Sequence, residues 1–369
     1  MSSILDMPGT NPPNPFTPII DQYLAQTTTD SNSPTDTAKA IVDRVTTSPN
    51  PGNALYQLWD AFFNSIVRTP LVENNARLSF EHHLALLSSI RAHTPTSPAH
   101  PAVKAGSYRE DHLLASGHLH RDENGSSHFD WRRLPLFPAQ WRDTHDILES
   151  WRSWDGIRRG AGGQGTGTTT ATATCQPAEF HTRFVTFSAL MVQRQFETDR
   201  DGDGDGDAIL IHPIWVFYAA RGTLETDHPG GRRPGDGDKR EVITREGYLA
   251  PEQLWQLDVK VAATWLRYGG RTLWGMDASS NLREHYATTL DWETDLWKRD
   301  GHGHGNREGG ISTARWTLWA ERLRGLMEGT VNQHYRLDRE TRDEVEQASK
   351  VLEGLLLGEQ RVGYMLNSH

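Results

Sequence analysis

The segment Trp141-Arg142-Asp143-Thr144-His145-Asp146 puts two carboxylates, an imidazole, a guanidinium and an indole within six residues. On a helix Asp143 and Asp146 stand three apart and share a face. A carboxylate pair beside a histidine can exchange protons with a substrate or anchor a ligand at a pocket edge. The competing reading is structural: acids in a first turn complement the helix dipole, and Trp141 packs as an apolar staple. Asp258, one turn before Ala262 and followed by Trp265, is a second polar group inside an apolar stripe. The chain carries thirteen tryptophans. Most are expected in helix packing, yet an aromatic-lined cavity between helices is also where bundles hold small molecules. The candidate pocket or binding residues are therefore Trp141, Arg142, Asp143, His145, Asp146, Trp215, Asp258 and Trp265, and none is assigned as catalytic.

Metal chemistry has three sequence candidates, and each lacks a part. The run Asp199 to Leu210 alternates acids with glycines as the front of a calcium loop does. Such a loop needs oxygen ligands at positions 1, 3 and 5, glycine at 6 and a bidentate glutamate at 12. Starting at Asp199 or Asp201 the front half fits, but position 12 is then Leu210 or His212. The run is read as a solvated connector that attracts counter-ions without selecting one. His302 and His304 in "GHGHG" have glycine flanks that preset no geometry, and the same holds for His112, His118 and His120. The expectation is no metal and no cofactor. Glu284, His285 and Tyr286 are adjacent, so on a helix they point apart. No H-E-x-x-H, C-x-x-C, G-x-S-x-G or phosphate-loop G-K-[ST] occurs in the sequence. The single cysteine, Cys175, has no base near it in sequence and cannot form an intrachain disulfide.

Charge excludes further classes. The 369 residues carry 38 basic and 48 acidic side chains, a net charge of −10. Nucleic acid requires clustered cations, and the only clusters are pairs such as Arg132-Arg133, Arg158-Arg159 and Arg232-Arg233. A membrane span needs about 20 apolar residues, and the longest apolar run is Ile214 to Ala220. "MSSILDMPGTNPPNPFTPII" has no basic segment followed by an apolar one, so no secretory signal is read there. The expected location is cytoplasmic, with the nucleus also open to the chain.

Helices must position these groups. In Leu55, Leu58, Trp59, Phe62, Phe63, Ile66 and Val67 the steps alternate between three and one, a stripe of period 3.6. Similar stripes predict helices at about 72–92 (Leu78, Leu84, Leu87, Ile90), 138–154, 178–197, after Pro213, 250–270 with Gly269-Gly270 as its C-terminal cap, 313–328 ended by Gly329, and 338–357 capped by Asp338. A short helix at 37–46 is also expected. No run alternates as a half-buried strand does. The expected fold is all-α: an irregular multi-helix bundle with long disordered Gly/Asp/Thr-rich insertions. Residues 1–50 are expected to be mostly disordered. Residues 51–360 are expected to form a single helical domain with insertions at about 93–130, 156–176, 199–207, 226–241 and 300–310.

The ordered segments "LWDAFF", "WRRLPLFPAQWRDTHD", "IWVFYAARGTLE", "LDVKVAATWLRYGGRTLW", the C-terminal W-x-x-W-x-x-R-L helix and "RETRDEVEQASKVLEGLL" occur in an order that resembles the fungal domain of unknown function 3632. The likeness covers about residues 54–357. It implies an intracellular helical protein of filamentous fungi and carries over no activity, cofactor or catalytic residue. Some similar proteins lie near secondary-metabolite genes. Two functions follow as expectations. The first is a non-catalytic protein that binds an unidentified protein partner or a small apolar ligand, without nucleic acid or membrane. The alternative is a cofactor-free isomerase, cyclase or hydrolase acting on an apolar metabolite in a secondary-metabolite pathway, with Asp143, His145 and Asp146 as its acid/base groups.

Overall fold

The computed structural model describes residues 13–25, 33–72, 75–93, 119–121, 123, 127–153, 177–199, 209–226, 249–277, 313–331 and 336–366. These residues are overwhelmingly helical, and the all-α expectation holds. The chain divides into two compact units, Met1–Ser150 with Thr198–Ile211, and Trp151–Glu197 with His212–His369. The stretches read as insertions at 156–176, 226–241 (from 227 on) and 300–310 lie outside the described residues, as do Asp201–Asp207, Cys175, His112, His118, Glu284, His285, Tyr286, His302 and His304.

The first unit holds α1 (Thr17–Leu24), α2 (Pro34–Thr47), α3 (Pro51–Arg68), α4 (Ala76–Ala92), β1 (Leu119–Arg121), β2 (Ser127–Phe129), a 3-10 turn (Trp131–Arg133) and α5 (Phe137–Trp151, its last residue in the second unit). The presence of α1 and α2 corrects the expectation that residues 1–50 are mostly disordered. Phe16, Ile20, Ile41, Val42 and Val45 are all fully buried. Low apolar density pointed to disorder, but the few apolar residues share one face. Ser33 and Asn50 cap α2 and α3 by accepting from the Asp36 and Asn53 amides. A second correction concerns 93–130. Within it β1 and β2 pair antiparallel, His120 opposite His128.

α3 is the core of this unit, with Leu55, Leu58, Trp59, Phe62, Phe63 and Ile66 fully buried, as its spacing predicts. α4 turns inward on Phe80, His83, Leu84, Leu87 and Ile90, whereas Leu78, expected on the stripe, stands exposed. α3 also fixes where α5 begins. The Trp59 indole N–H donates to the Pro135 carbonyl at 2.7 Å, and Phe137 packs edge-on against Trp59. The segment Leu134-Pro135-Leu136 is strained: φ is +43° at Leu134 and +63° at Leu136. Left-handed backbone at a leucine costs on the order of 1–3 kcal/mol. Burial of both side chains and the Trp59 bond hold it in place.

The second unit holds α6 (Pro177–Asp199, its last two residues in the first unit), α7 (Ile214–Leu224), α8 (Pro251–Asp277), α9 (Thr313–Glu328) and α10 (Arg339–Leu366). α8 packs against both α7 and α10, and α9 packs against α10 and α7. Gly269 and Gly270 do not end α8, as the sequence reading expected. They lie within it, and a Cβ at Gly269 would come 2.6 Å from Val216 Cγ2. Here glycine serves close approach of α7 to α8 rather than a chain reversal. Gly329, with φ +69°, does end α9 as expected. Asp338 caps α10 through the Thr341 amide at 2.7 Å. No helix among the described residues is long and apolar enough to cross a membrane.

Candidate functional site

α5 carries five of the sequence candidates, and its helical geometry sorts them. Trp141 and His145 are one turn apart and buried, and their rings stack at 5.3 Å with a 32° tilt. Arg142, Asp143 and Asp146 are exposed. Asp146 turns to the histidine: its Oδ1 lies 3.4 Å from His145 Nδ1. Glu149, which sequence reasoning passed over, lies on the same side, with Oε2 at 3.9 Å from the same nitrogen. The grouping is therefore His145, Asp146 and Glu149. Glu149 could have been found from the i,i+4 spacing to His145.

The remaining candidates belong to the second unit and are held in separate settings. Asp258 is paired: Arg152 places Nη2 and Nε at 2.8 and 3.0 Å from its Oδ1. Its backbone carbonyl accepts from the Thr223 hydroxyl at 3.4 Å. Trp265 is buried inside α8 as packing. Trp215 is half-buried on α7 and meets Tyr218 edge-on at 5.8 Å, with Tyr218 exposed.

The strongest buried polar grouping in this unit was not foreseen. Glu225 follows α7 and is fully buried. Arg315 Nε lies 2.7 Å from its Oε1, Arg315 Nη2 donates to Oε2 at 3.2 Å, and the Trp319 indole N–H donates to Oε1 at 2.9 Å. The guanidinium also lies over the Phe217 ring at 5.1 Å. Arg315, Trp319 and Arg322 recur at i, i+4 and i+7, so one face of α9 meets the end of α7. Arg322 donates to the Leu224 and Thr226 carbonyls at 3.1 and 3.0 Å. It thereby satisfies carbonyls that the helix end leaves over and offsets the negative pole on which Glu225 sits. Burial lowers the pKa of Arg221 nearby, with Glu225 opposing and Arg315 adding to that shift. The signal was present in sequence: a glutamate ends "IWVFYAARGTLE", and an arginine precedes the first tryptophan of W-x-x-W-x-x-R-L.

A serine–histidine contact in the first unit completes the set. His83 Nε2 lies 3.1 Å from Ser65 Oγ, both side chains buried. The Ser65 hydroxyl donates to the Phe62 carbonyl at 2.6 Å, so its proton is engaged and the imidazole serves as donor. That is the reverse of nucleophile activation, in which the base accepts the hydroxyl proton. Burial, reinforced by His82 and Arg68, lowers the His83 pKa to about 3 and keeps it neutral.

Helices, a buried Glu225–Arg315 ion pair and a histidine–carboxylate grouping on α5 define a helical protein without a recognisable catalytic constellation among the described residues. Residues 59–323 match the family described as protein of unknown function (DUF3632), and the chain belongs to that family. No curated protein and no solved structure matches it.

Proposed function

We propose that this is a non-catalytic helical protein of the fungal cytoplasm that binds a protein partner or a small apolar ligand. The observation that carries the reading is the outer side of α7. Trp215, Tyr218, Ala219 and Gly222 recur there at i, i+3, i+4 and i+7. Tyr218 is 37% exposed, and nothing lies within 4 Å of the position a Gly222 Cβ would take. Aromatic side chains of this kind combine large apolar area with low ordering cost, which is why interfaces use them. The polar groups that an enzyme would need free are engaged within the protein: Glu225 by Arg315 and Trp319, Asp258 by Arg152. The resemblance to a fungal family and the single cysteine support the fungal and intracellular parts of the reading.

Native mass spectrometry of the full chain purified from its own host tests this. The expected result is a co-purifying partner or apolar molecule that Tyr218→Ala reduces and Asp143→Asn with Asp146→Asn leaves in place. Turnover of a metabolite that disappears with Asp143→Asn would instead establish the enzyme reading.

A further inference from the structure

We propose that α1 is a displaceable cap on a helix-binding groove formed by α2, α3 and α4, and that the groove's second occupant is an amphipathic helix of a partner protein, with large apolar residues at i, i+4 and i+7 and an acid at i+5. α1 itself shows the chemistry of that occupant. Phe16, Ile20 and Tyr23 stand at i, i+4 and i+7 and are buried to 4% exposure or less. This is the spacing with which an amphipathic helix fills an apolar groove. α1 packs against α2 and α3. Tyr23 also reaches α4, where its hydroxyl donates to the His82 carbonyl at 3.2 Å and its ring meets the His82 ring edge-on at 5.8 Å. On α2 the Arg44 guanidinium lies 5.9 Å from the centre of the Phe16 ring. The rim supplies charge complementarity: Arg68 of α3 donates to the Asp21 carboxylate at 2.9 Å. Ahead of the helix, the Asn14 amide donates to the Gln57 carbonyl at 2.7 Å and to the Asp60 carboxylate at 3.2 Å.

Two observations mark α1 as a docked ligand rather than a fixed part of the core. The first is its own weakness as a helix. It has eight residues, no side-chain cap at Phe16, no acid in its first turn and no base in its last. A helix of this length is not stable by itself in water, so docking is what keeps it helical, whereas α2 and α3 carry side-chain caps. Elements of this kind open locally at a free energy below that of global unfolding. The second is where the family begins. The matching stretch, residues 59–323, starts after α1 and α2 and contains Asp60, Arg68 and His82. The α3 and α4 groups that α1 meets there therefore belong to the family domain, and α1 is joined ahead of it. Undocking and partner binding are linked, because a partner helix binds only the fraction of chains whose groove is open. This surface lies in the first unit and does not depend on the reading of α7.

A fluorescent synthetic peptide with the sequence of residues 13–25, standing for the partner helix and titrated by anisotropy against the full chain, tests the proposal. In the unaltered chain the tethered α1 competes at an effective concentration on the order of millimolar, so the peptide should bind weakly. Phe16→Ala/Ile20→Ala in the full chain vacates the groove and leaves its walls intact, and the peptide should then bind at least about tenfold tighter. Asp21→Ala in the full chain alters no buried side chain and should act in the same direction by about two- to fivefold. A peptide carrying Ile20→Asp should not bind. In the unaltered chain the Tyr23 and Leu24 amides should exchange hydrogen at least about tenfold faster than those of Phe62 and Phe63. Equal peptide binding by the variants and the unaltered chain, binding to none of them, α1 amides as protected as those of α3, or loss of the α2–α4 helices in Phe16→Ala/Ile20→Ala overturns the proposal.

Discussion

Glu225→Gln changes one atom and removes one charge at a fully buried position. The amide oxygen can still accept from Trp319, so what is lost is the anion facing Arg315, whose side chain is only 3% exposed. Removing one partner of a buried pair leaves the other charge uncompensated and costs about 3–5 kcal/mol. Half-buried Arg221 adds to the penalty, since Glu225 is the anion that opposes its repulsion by Arg315. Removing both charges behaves differently. Apolar replacement of a whole buried pair is often close to neutral, and the Trp319 indole then loses an acceptor at a cost of about 1–3 kcal/mol. Glu225→Leu/Arg315→Met should therefore be more stable than Glu225→Gln by about 1–2 kcal/mol or more. The chain contains two units, and a single global unfolding energy would mix them. Amide hydrogen exchange in α7 and α9 reads the local opening energy instead. A cost for Glu225→Gln below about 1 kcal/mol, or a double variant as damaged as the sum of its parts, refutes the account of this grouping as a charge pair held in place by its own burial.

Two further perturbations follow from described contacts. His83 has a folded pKa of about 3 against an ordinary 6.5, so it binds its proton more readily when unfolded. Its contribution is complete above pH 6.5 and is lost as pH falls towards 3, at up to about 1.4 kcal/mol per pH unit. Urea unfolding of His83→Gln across this range should show a flatter acid limb, and an unchanged slope would contradict the reasoning. At Gly269, alanine must displace Val216, whose β-branched side chain has little rotamer freedom in a helix, so a net loss of about 1–2 kcal/mol is expected. Gly222→Ala meets nothing within 4 Å and should stabilise by up to about 1 kcal/mol, read as a rise in thermal midpoint. The opposite signs are the test.

Periodicity made the helices legible, because a stripe repeats many times and averages over exceptions. α3 is the clearest case, with Leu55, Leu58, Trp59, Phe62, Phe63 and Ile66 buried where the spacing put them. Single residues were less legible, since one amino acid serves several purposes. Gly269-Gly270 carries the composition of a helix stop, yet its role depends on Val216, more than fifty positions earlier in the chain. Asp258 looked open until Arg152, across a sequence separation of 106, supplied its partner. Arg315 drew no notice in the sequence because its partner, Glu225, lies 90 positions away. On α5 the sequence paired Asp143 with Asp146, and the structure adds which groups stand near the imidazole. Asp146 and Glu149 carboxylate oxygens lie 3.4 and 3.9 Å from His145 Nδ1, while Asp143 is exposed. Sequence gives the face of a helix on which a group stands, and only tertiary packing tells what stands opposite.

The left-handed leucines ahead of α5 bear on the entropy of anything that binds that helix. A strained backbone persists only where its surroundings over-determine it, and Leu134 and Leu136 are held by burial and by the Trp59–Pro135 bond. The first turn of α5 is therefore already immobilised before a ligand arrives. Ordering a flexible segment is one of the main costs of association, and at this helix that cost has been met during folding. The outward carboxylates of α5, Asp143, Asp146 and Glu149, ride on a fixed base. Trp59→Phe deletes that bond and should loosen the first turn of α5 without touching any of the outward side chains of the helix.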